Sequence, residues 1–195
     1  MRTFSTVAMA MAFPALLAAQ QPAAAAPANP ISAAFKARIT PLERNIAQAF
    51  DSIPEAKFSY KPTPAQLSIG FIAQHVASDN YLFCDQFGDK KSSLAEEDTA
   101  TPDSVKATWS KDKLVTKLKA SFAFCQDALA QLEDSKLTDQ VTLTFRGNAR
   151  QFPRISMVLG HALDLADHYS QLANYMRLNG MLPPSALPRP PRPNP

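Results

Sequence analysis

The sequence predicts an all-α fold, a four-helix bundle in which a long crossover joins the second and third helices. Three observations carry this. Four stretches repeat apolar residues at steps of three and four, the period of a helix with one buried face. The chain holds only five glycines and almost no alternating apolar pattern, which leaves little from which to build a β fold. The connection over residues 88–109 is polar, and it is too long for a helix hairpin, where roughly 2–8 residues suffice. A connection of that length can carry the chain across the bundle and set helices two and three parallel.

The N-terminal stretch MRTFSTVAMAMAFPALLAAQQ reads as an export signal: Arg2 gives a basic start, an uncharged apolar run follows, and small residues come next. Pro14 and the Gln20-Gln21 pair suit a cleaved signal better than a membrane anchor. Residues 1–25 are assigned to it, with the cut after Ala19 or after Ala24 or Ala25. A cut after Ala26 is disfavoured by Pro27. The expected location is periplasmic or secreted, with no stable membrane insertion after cleavage, because no later apolar stretch has spanning length.

The expected bundle covers residues 30–182. Its first helix spans 30–53, where Phe35, Ile39, Leu42, Ile46, Ala49 and Ile53 share a face; Pro41 is expected to kink it or split off its first turns. The second spans 64–87, with Thr63 as cap, Pro64 in the first turn and Gly88 as the stop. The third spans 111–133 behind Ser110, with a seam of Leu114, Leu118, Phe122, Cys125, Leu129 and Leu132. Residues 134–151 read as a loop containing one short strand or extended piece, VTLTF, and a turn at Gly147-Asn148. The fourth helix spans 152–179 and stops at Gly180. The proline-rich tail, residues 183–195, is expected to be disordered.

The net charge of +3 is spread along the chain with no basic stripe, which argues against nucleic acid as a partner. No Gly-rich phosphate loop, serine nucleophile elbow or CxxC pair is present. The three histidines carry most of the information. On the fourth helix His161, Asp164 and His168 lie on one stripe at the edge of the apolar arc, half of a metal site of the kind bundles build from facing helices. On the second helix His75 falls inside the apolar arc, with Asp79 one turn later. Either Asp79 or a metal would satisfy it. Imidazole and carboxylate donors suit Zn²⁺, Ni²⁺ or Fe²⁺ alike. The bland reading is a buried histidine paired with a neighbouring aspartate, beside a solvated helix edge.

The two cysteines allow two readings. If helices two and three are parallel, Cys84 and Cys125 lie toward the same end and can form a disulfide, which an exported chain permits. Otherwise Cys125 is a small core residue. Neither cysteine has a basic neighbour that would activate it as a catalytic thiol.

The segments KFSYKPTPAQLSIGFIAQHVASDNYLFC, KLVTKLKASFAFCQDAL and DHYSQLANYMRLNGMLPPS together resemble the DinB-like family of metalloenzymes, in its exported subgroup. The resemblance covers nearly all of residues 31–185. It implies an up-down-down-up four-helix bundle and a divalent metal held by three histidines, one on the second helix and two spaced H-x-x-x-H on the fourth. By position these become His75, residue 164 and His168. This chain carries Asp164 where the family usually has histidine. Asp164 is then a carboxylate ligand, or His161 substitutes from one turn earlier, or the site no longer binds metal. Asp79 would stand behind the ligands.

The resemblance further implies thiol-dependent chemistry on a small-molecule substrate, as in a transferase or an isomerase, and the leading reading is a metal-dependent thiol transferase or hydrolase. The alternative is a non-catalytic bundle that binds a metal or small ligand. An oxidising compartment is a poor place for a cellular thiol cosubstrate. Bundles of this kind also pair as homodimers, and nothing in the sequence selects or rejects that.

Overall fold

A computed structural model describes residues 28–145 and 147–188. The export signal expected at 1–25 lies outside them, as do residues 189–195 of the tail. Six helices and one hairpin follow in order: α1 (Pro30–Ser52), α2 (Ile69–Cys84), α3 (Glu96–Ala100), α4 (Asp103–Lys106), α5 (Lys111–Ala130), β1 (Gln140–Phe145), β2 (Asn148–Pro153) and α6 (Arg154–Leu178). The all-α expectation is therefore corrected. The piece VTLTF is β1, and it pairs antiparallel with β2 through Thr142 opposite Gln151 and Leu143 opposite Arg150. The second strand, NARQFP, has no apolar alternation to announce it and is held by backbone pairing.

Four long helices, α1, α2, α5 and α6, share one core in which Ile39, Ile46, Phe50, Ile72, Leu118 and Leu165 are fully or almost fully buried. Their directions follow from side-chain pairs. Asn80 meets Ser121, and Cys84 meets Cys125, both at a sequence separation of 41, so α2 and α5 run parallel. Thr40 pairs with Gln126 and Asp51 with Lys119, so α1 opposes α5. His75 meets His168 while Cys84 approaches His161, so α6 opposes α2.

The ends of the helices differ from expectation in several places. The chain stays helical through Pro41, so α1 does not split. Its start is capped from a distant segment: the Asp134 carboxylate accepts from the backbone N–H groups of Ile31 and Ser32 and from the Ser32 hydroxyl. At the other end Lys111 Nζ donates to the carbonyls of Asp51 and Ile53. Helix α2 begins at Ile69, capped by Ser68 Oγ accepting from the Phe71 N–H, and not at Thr63. It ends at Cys84, before Gly88.

The late start of α2 follows from its first N–H groups: those of Ile69 and Gly70 donate to the Tyr60 and Phe58 carbonyls, not to residues 65 and 66 as a helix begun at Pro64 would require. A Cβ on Gly70 would stand 2.4 Å from the Ala107 carbonyl oxygen, so the end of α4 sits directly on the first turn of α2. Helix α5 begins where expected, with Ser110 Oγ accepting from the Lys113 N–H. Helix α6 closes with Gly180 at φ +72°, the Gly180 N–H donating to Arg177 and the Met181 N–H to Met176. That pair of bonds is a Schellman stop.

The crossover is not bare loop. It folds into α3 and α4 and is fastened to α5 by Lys113 and Lys117, which pair with Glu97 at 2.7 and 3.0 Å, and by Lys117 with Asp98 at 2.6 Å. The first residues of the proline-rich tail lie among those described. Pro184–Ala186 form a 3-10 turn, and the Ser185 N–H donates to the Tyr169 hydroxyl at 2.9 Å. No helix among the described residues is long and apolar enough to cross a membrane.

Candidate metal centre

His75 lies midway along α2, and Asp164 and His168 lie one turn apart on α6. The antiparallel packing of these helices brings the three together. One ligand atom from each of His75, Asp164 and His168 falls within 4.8 Å of the others. The rings of His75 and His168 are 4.8 Å apart at 89°. Asp164 Oδ1 is 3.3 Å from His168 Nε2, and Asp79 Oδ2 is 3.4 Å from His75 Nε2.

Two polar atoms here have no hydrogen-bond partner in the protein although both are buried: Asp164 Oδ2 and His168 Nδ1. A buried carboxylate oxygen without a donor is costly, on the order of 1–3 kcal/mol or more for a charged group. A cation answers that cost directly. Two imidazoles and a carboxylate also form a donor set suited to a divalent first-row metal. The residues present fit such an ion.

The electrostatics of the cluster point the same way. Burial pushes the Asp79 carboxyl up to about 6, against the opposing pull of His75, and repulsion from Asp164 adds to the rise. Burial acts to lower His168, but the hydrogen bond and charge of Asp164 outweigh it and hold the imidazole above its ordinary value. Asp164 thus acts on both Asp79 and His168, which places the two carboxyls and the two imidazoles in one small volume.

His161 does not reach this centre. It lies seven residues before His168, so roughly 10 Å along the helix axis separates them. It is fully buried beside Cys84 and Cys125, which are joined as a disulfide, and its Nε2 is 3.8 Å from either sulfur. Burial drives its pKa down to about 4, so the ring is neutral at physiological pH. Asn80 Oδ1 lies 3.0 Å from Nε2, while Asn80 Nδ2 donates to Ser121 Oγ at 2.8 Å. The Asn80 amide therefore accepts the Nε2–H, which fixes the tautomer. Phe83 and Phe87 pack on the ring. The helical wheel placed His161 on the same stripe as His168, but a stripe at the edge of an arc drifts into the core as the helix turns.

Asn80 and Ser121 were not singled out from the sequence. The signal available was positional: each precedes a cysteine by four residues, one turn, so a bridge between the cysteines stacks the two polar residues as well.

The sequence profile of the DinB superfamily matches residues 39–172, which include every residue of the centre. No protein of curated function matches by sequence. Solved structures share the fold at low identity. A DinB-like protein from Bacillus cereus ATCC 10987 aligns with TM-score 0.56 at 18% identity, over 77% of this chain and 93% of its own. A conserved protein from Enterococcus faecalis aligns with TM-score 0.56 at 16% identity, over 76% and 96%. A mycothiol-dependent maleylpyruvate isomerase aligns with TM-score 0.57 at 13% identity over 72% of this chain, which spans 60% of the isomerase's length. With the family profile covering well over half of its length, the chain belongs to the DinB superfamily.

Proposed function

We propose that the protein is a divalent-metal-dependent enzyme, a thiol transferase or hydrolase, built on a four-helix bundle with its crossover between α2 and α5. The observation that carries the reading is the convergence of His75, Asp164 and His168 around a buried carboxylate oxygen that no protein donor satisfies. These three residues would hold the ion, with Asp79 orienting His75 from behind. When bound, a Zn²⁺, Ni²⁺ or Fe²⁺ ion supplies Lewis acidity and a fixed positive charge that lowers the pKa of an approaching thiol or water. The protein's own part is to hold the imidazoles at right angles and to fix the Asp164 carboxyl next to His168. Similarity to a structure named as a mycothiol-dependent isomerase supports thiol use.

Export is part of the same proposal. It rests on the uncharged apolar run that follows Arg2, and a buried Cys84–Cys125 disulfide fits an oxidising compartment. That compartment weighs against a cytosolic thiol and toward a hydrolytic reaction or a thiol supplied outside the cell.

A second reading is a non-catalytic metal- or ligand-binding protein. Asp164 favours it, since the family's third histidine is missing. Elemental analysis of mature protein purified without chelator tests the metal itself. About one divalent ion per chain is expected, and His75→Ala and His168→Ala should each lose it. A chain that takes up neither Zn²⁺, Ni²⁺ nor Fe²⁺ on equilibration overturns both metal readings. Turnover of a thiol with an electrophile, or of an ester or amide, by the loaded chain then separates enzyme from binder.

A further inference from the structure

Gln74 and His75 are neighbours on α2 but serve different walls of that helix. His75 faces α6, whereas Gln74 lines a cavity of about 360 Å³ on the α5 side, roofed by the crossover. The volume falls within the range of small-molecule pockets, roughly 300–1,000 Å³. Gln74 is only 4% exposed, and neither its Nε2 nor its Oε1 has a hydrogen-bond partner in the protein. Leaving both ends of a buried amide unsatisfied is costly, so the residue calls for an explanation.

Ala77, Tyr81, Trp109 and Leu114 supply apolar and aromatic wall around it. Charged residues stand in the lining too, but in matched pairs. Lys106 Nζ lies 3.2 Å from Asp103 Oδ1, and Lys117 Nζ lies 2.6 Å from Asp98 Oδ1. A ligand of net charge would have to break a pair, while a neutral one need not.

We propose that this cavity between α2, α5 and the crossover is a second binding site, separate from the metal centre, for a neutral small molecule carrying a carboxamide or lactam group on a compact apolar body. A turn of the buried Gln74 side chain toward the cavity offers one donor and one acceptor side by side. A primary amide or lactam offers the complementary pair, so two reciprocal hydrogen bonds form between them. Trp109 and Tyr81 cover the apolar body.

Trp109 is the chain's single tryptophan; it also borders a neighbouring cavity beside Phe58 and Phe71, and substitutions at Gln74 and Ala120, which line only the first, assign the emission change to this one. The probe is cyclohexanecarboxamide, and the control is cyclohexyl methyl ketone, of nearly the same shape without the N–H donors. Titration is carried out with and without EDTA on the full mature chain. A saturable change in Trp109 emission is expected with the amide, unaffected by EDTA, and the ketone should bind at least about fivefold more weakly. In Gln74→Leu the two probes should bind within about twofold of each other. Ala120→Phe, at the exposed rim of the same cavity, should abolish the amide response while Gln74 is intact, which keeps the test usable should Gln74→Leu fail to fold. No saturable change in the wild type, equal affinity for the two probes, or an amide preference that survives Gln74→Leu each overturn the site. Because EDTA is one arm, failure here leaves the metal reading untouched, and a missing metal leaves this one untouched.

Discussion

The His75 and His168 rings meet edge to face, 4.8 Å apart and 89° to one another, although the two residues are 93 positions apart in the chain. Asp164 completes the group from one turn before His168. His161, one turn earlier still, turns into the core to Asn80 and the disulfide.

That arrangement separates two candidates for the third ligand. Asp164→Ala should reduce metal content at least about tenfold, in the range of a lost ligand or ligand support. His161→Ala should leave stoichiometry unchanged while lowering stability. Elemental analysis of both variants, each checked by circular dichroism, decides it; metal lost in His161→Ala and kept in Asp164→Ala reverses the assignment.

Glu43 on α1 gives the protein a pH dependence far from the metal centre. It is 4% exposed, and burial pushes its carboxyl from 4.5 up to about 7, partly offset by the hydrogen bond from Gln126 Nε2. A carboxyl with a folded-state pKa above its unfolded one takes up a proton on folding. Its contribution is complete below about 4.5 and is lost as pH rises through about 7. Urea melts of Glu43→Gln and wild type should agree near pH 4.5. At pH 8 the variant should be more stable by on the order of 1–3 kcal/mol. Identical pH profiles for the two proteins would reject a buried, proton-binding Glu43.

The Cys84–Cys125 bridge closes a loop with a sequence separation of 41. In the chain-entropy account, a loop of that size is worth about 4 kcal/mol. Denatured, unreduced protein should show no reactive thiol by titration. Cys84→Ala/Cys125→Ala should lower the urea midpoint correspondingly. Two titratable thiols per chain would rule the bridge out.

Asn80 satisfies two buried partners at once, His161 and Ser121. Asn80→Leu should cost about 2–4 kcal/mol by leaving the imidazole N–H without an acceptor. Adding His161→Phe removes the stranded donor and should recover part of that loss, since replacing both members of a buried polar pair by apolar groups is close to neutral. Additive losses in the double variant would show that the two residues are uncoupled.

The long helices were legible because each buries one face, and a buried face writes its period into the sequence. Ile39, Ile46, Leu114, Leu118 and Leu165 are all in the core. The ends were harder. Thr63-Pro64 is a sound local start signal, yet Ser68 is used, because the N–H groups of Ile69 and Gly70 are taken by the Tyr60 and Phe58 carbonyls, a loop closure that no local rule contains. Strand β2 was invisible for a similar reason: its residues are mostly exposed, and only pairing with β1 makes them a strand. His75, Asp164 and His168 could be picked out because few histidines are present and family spacing ranks them. The fates of His161 and Gln74 could not, since both depend on which side of a helix faces a partner at one particular depth.

The disulfide also decides what happens when the chain is cut. The whole crossover, including α3 and α4, lies between the two bridged residues. A protease that nicks the exposed stretch around Lys90 or Ser93 therefore releases neither half. The two fragments stay tethered at the far end of α2 and α5, and they separate on a gel only after a reductant is added.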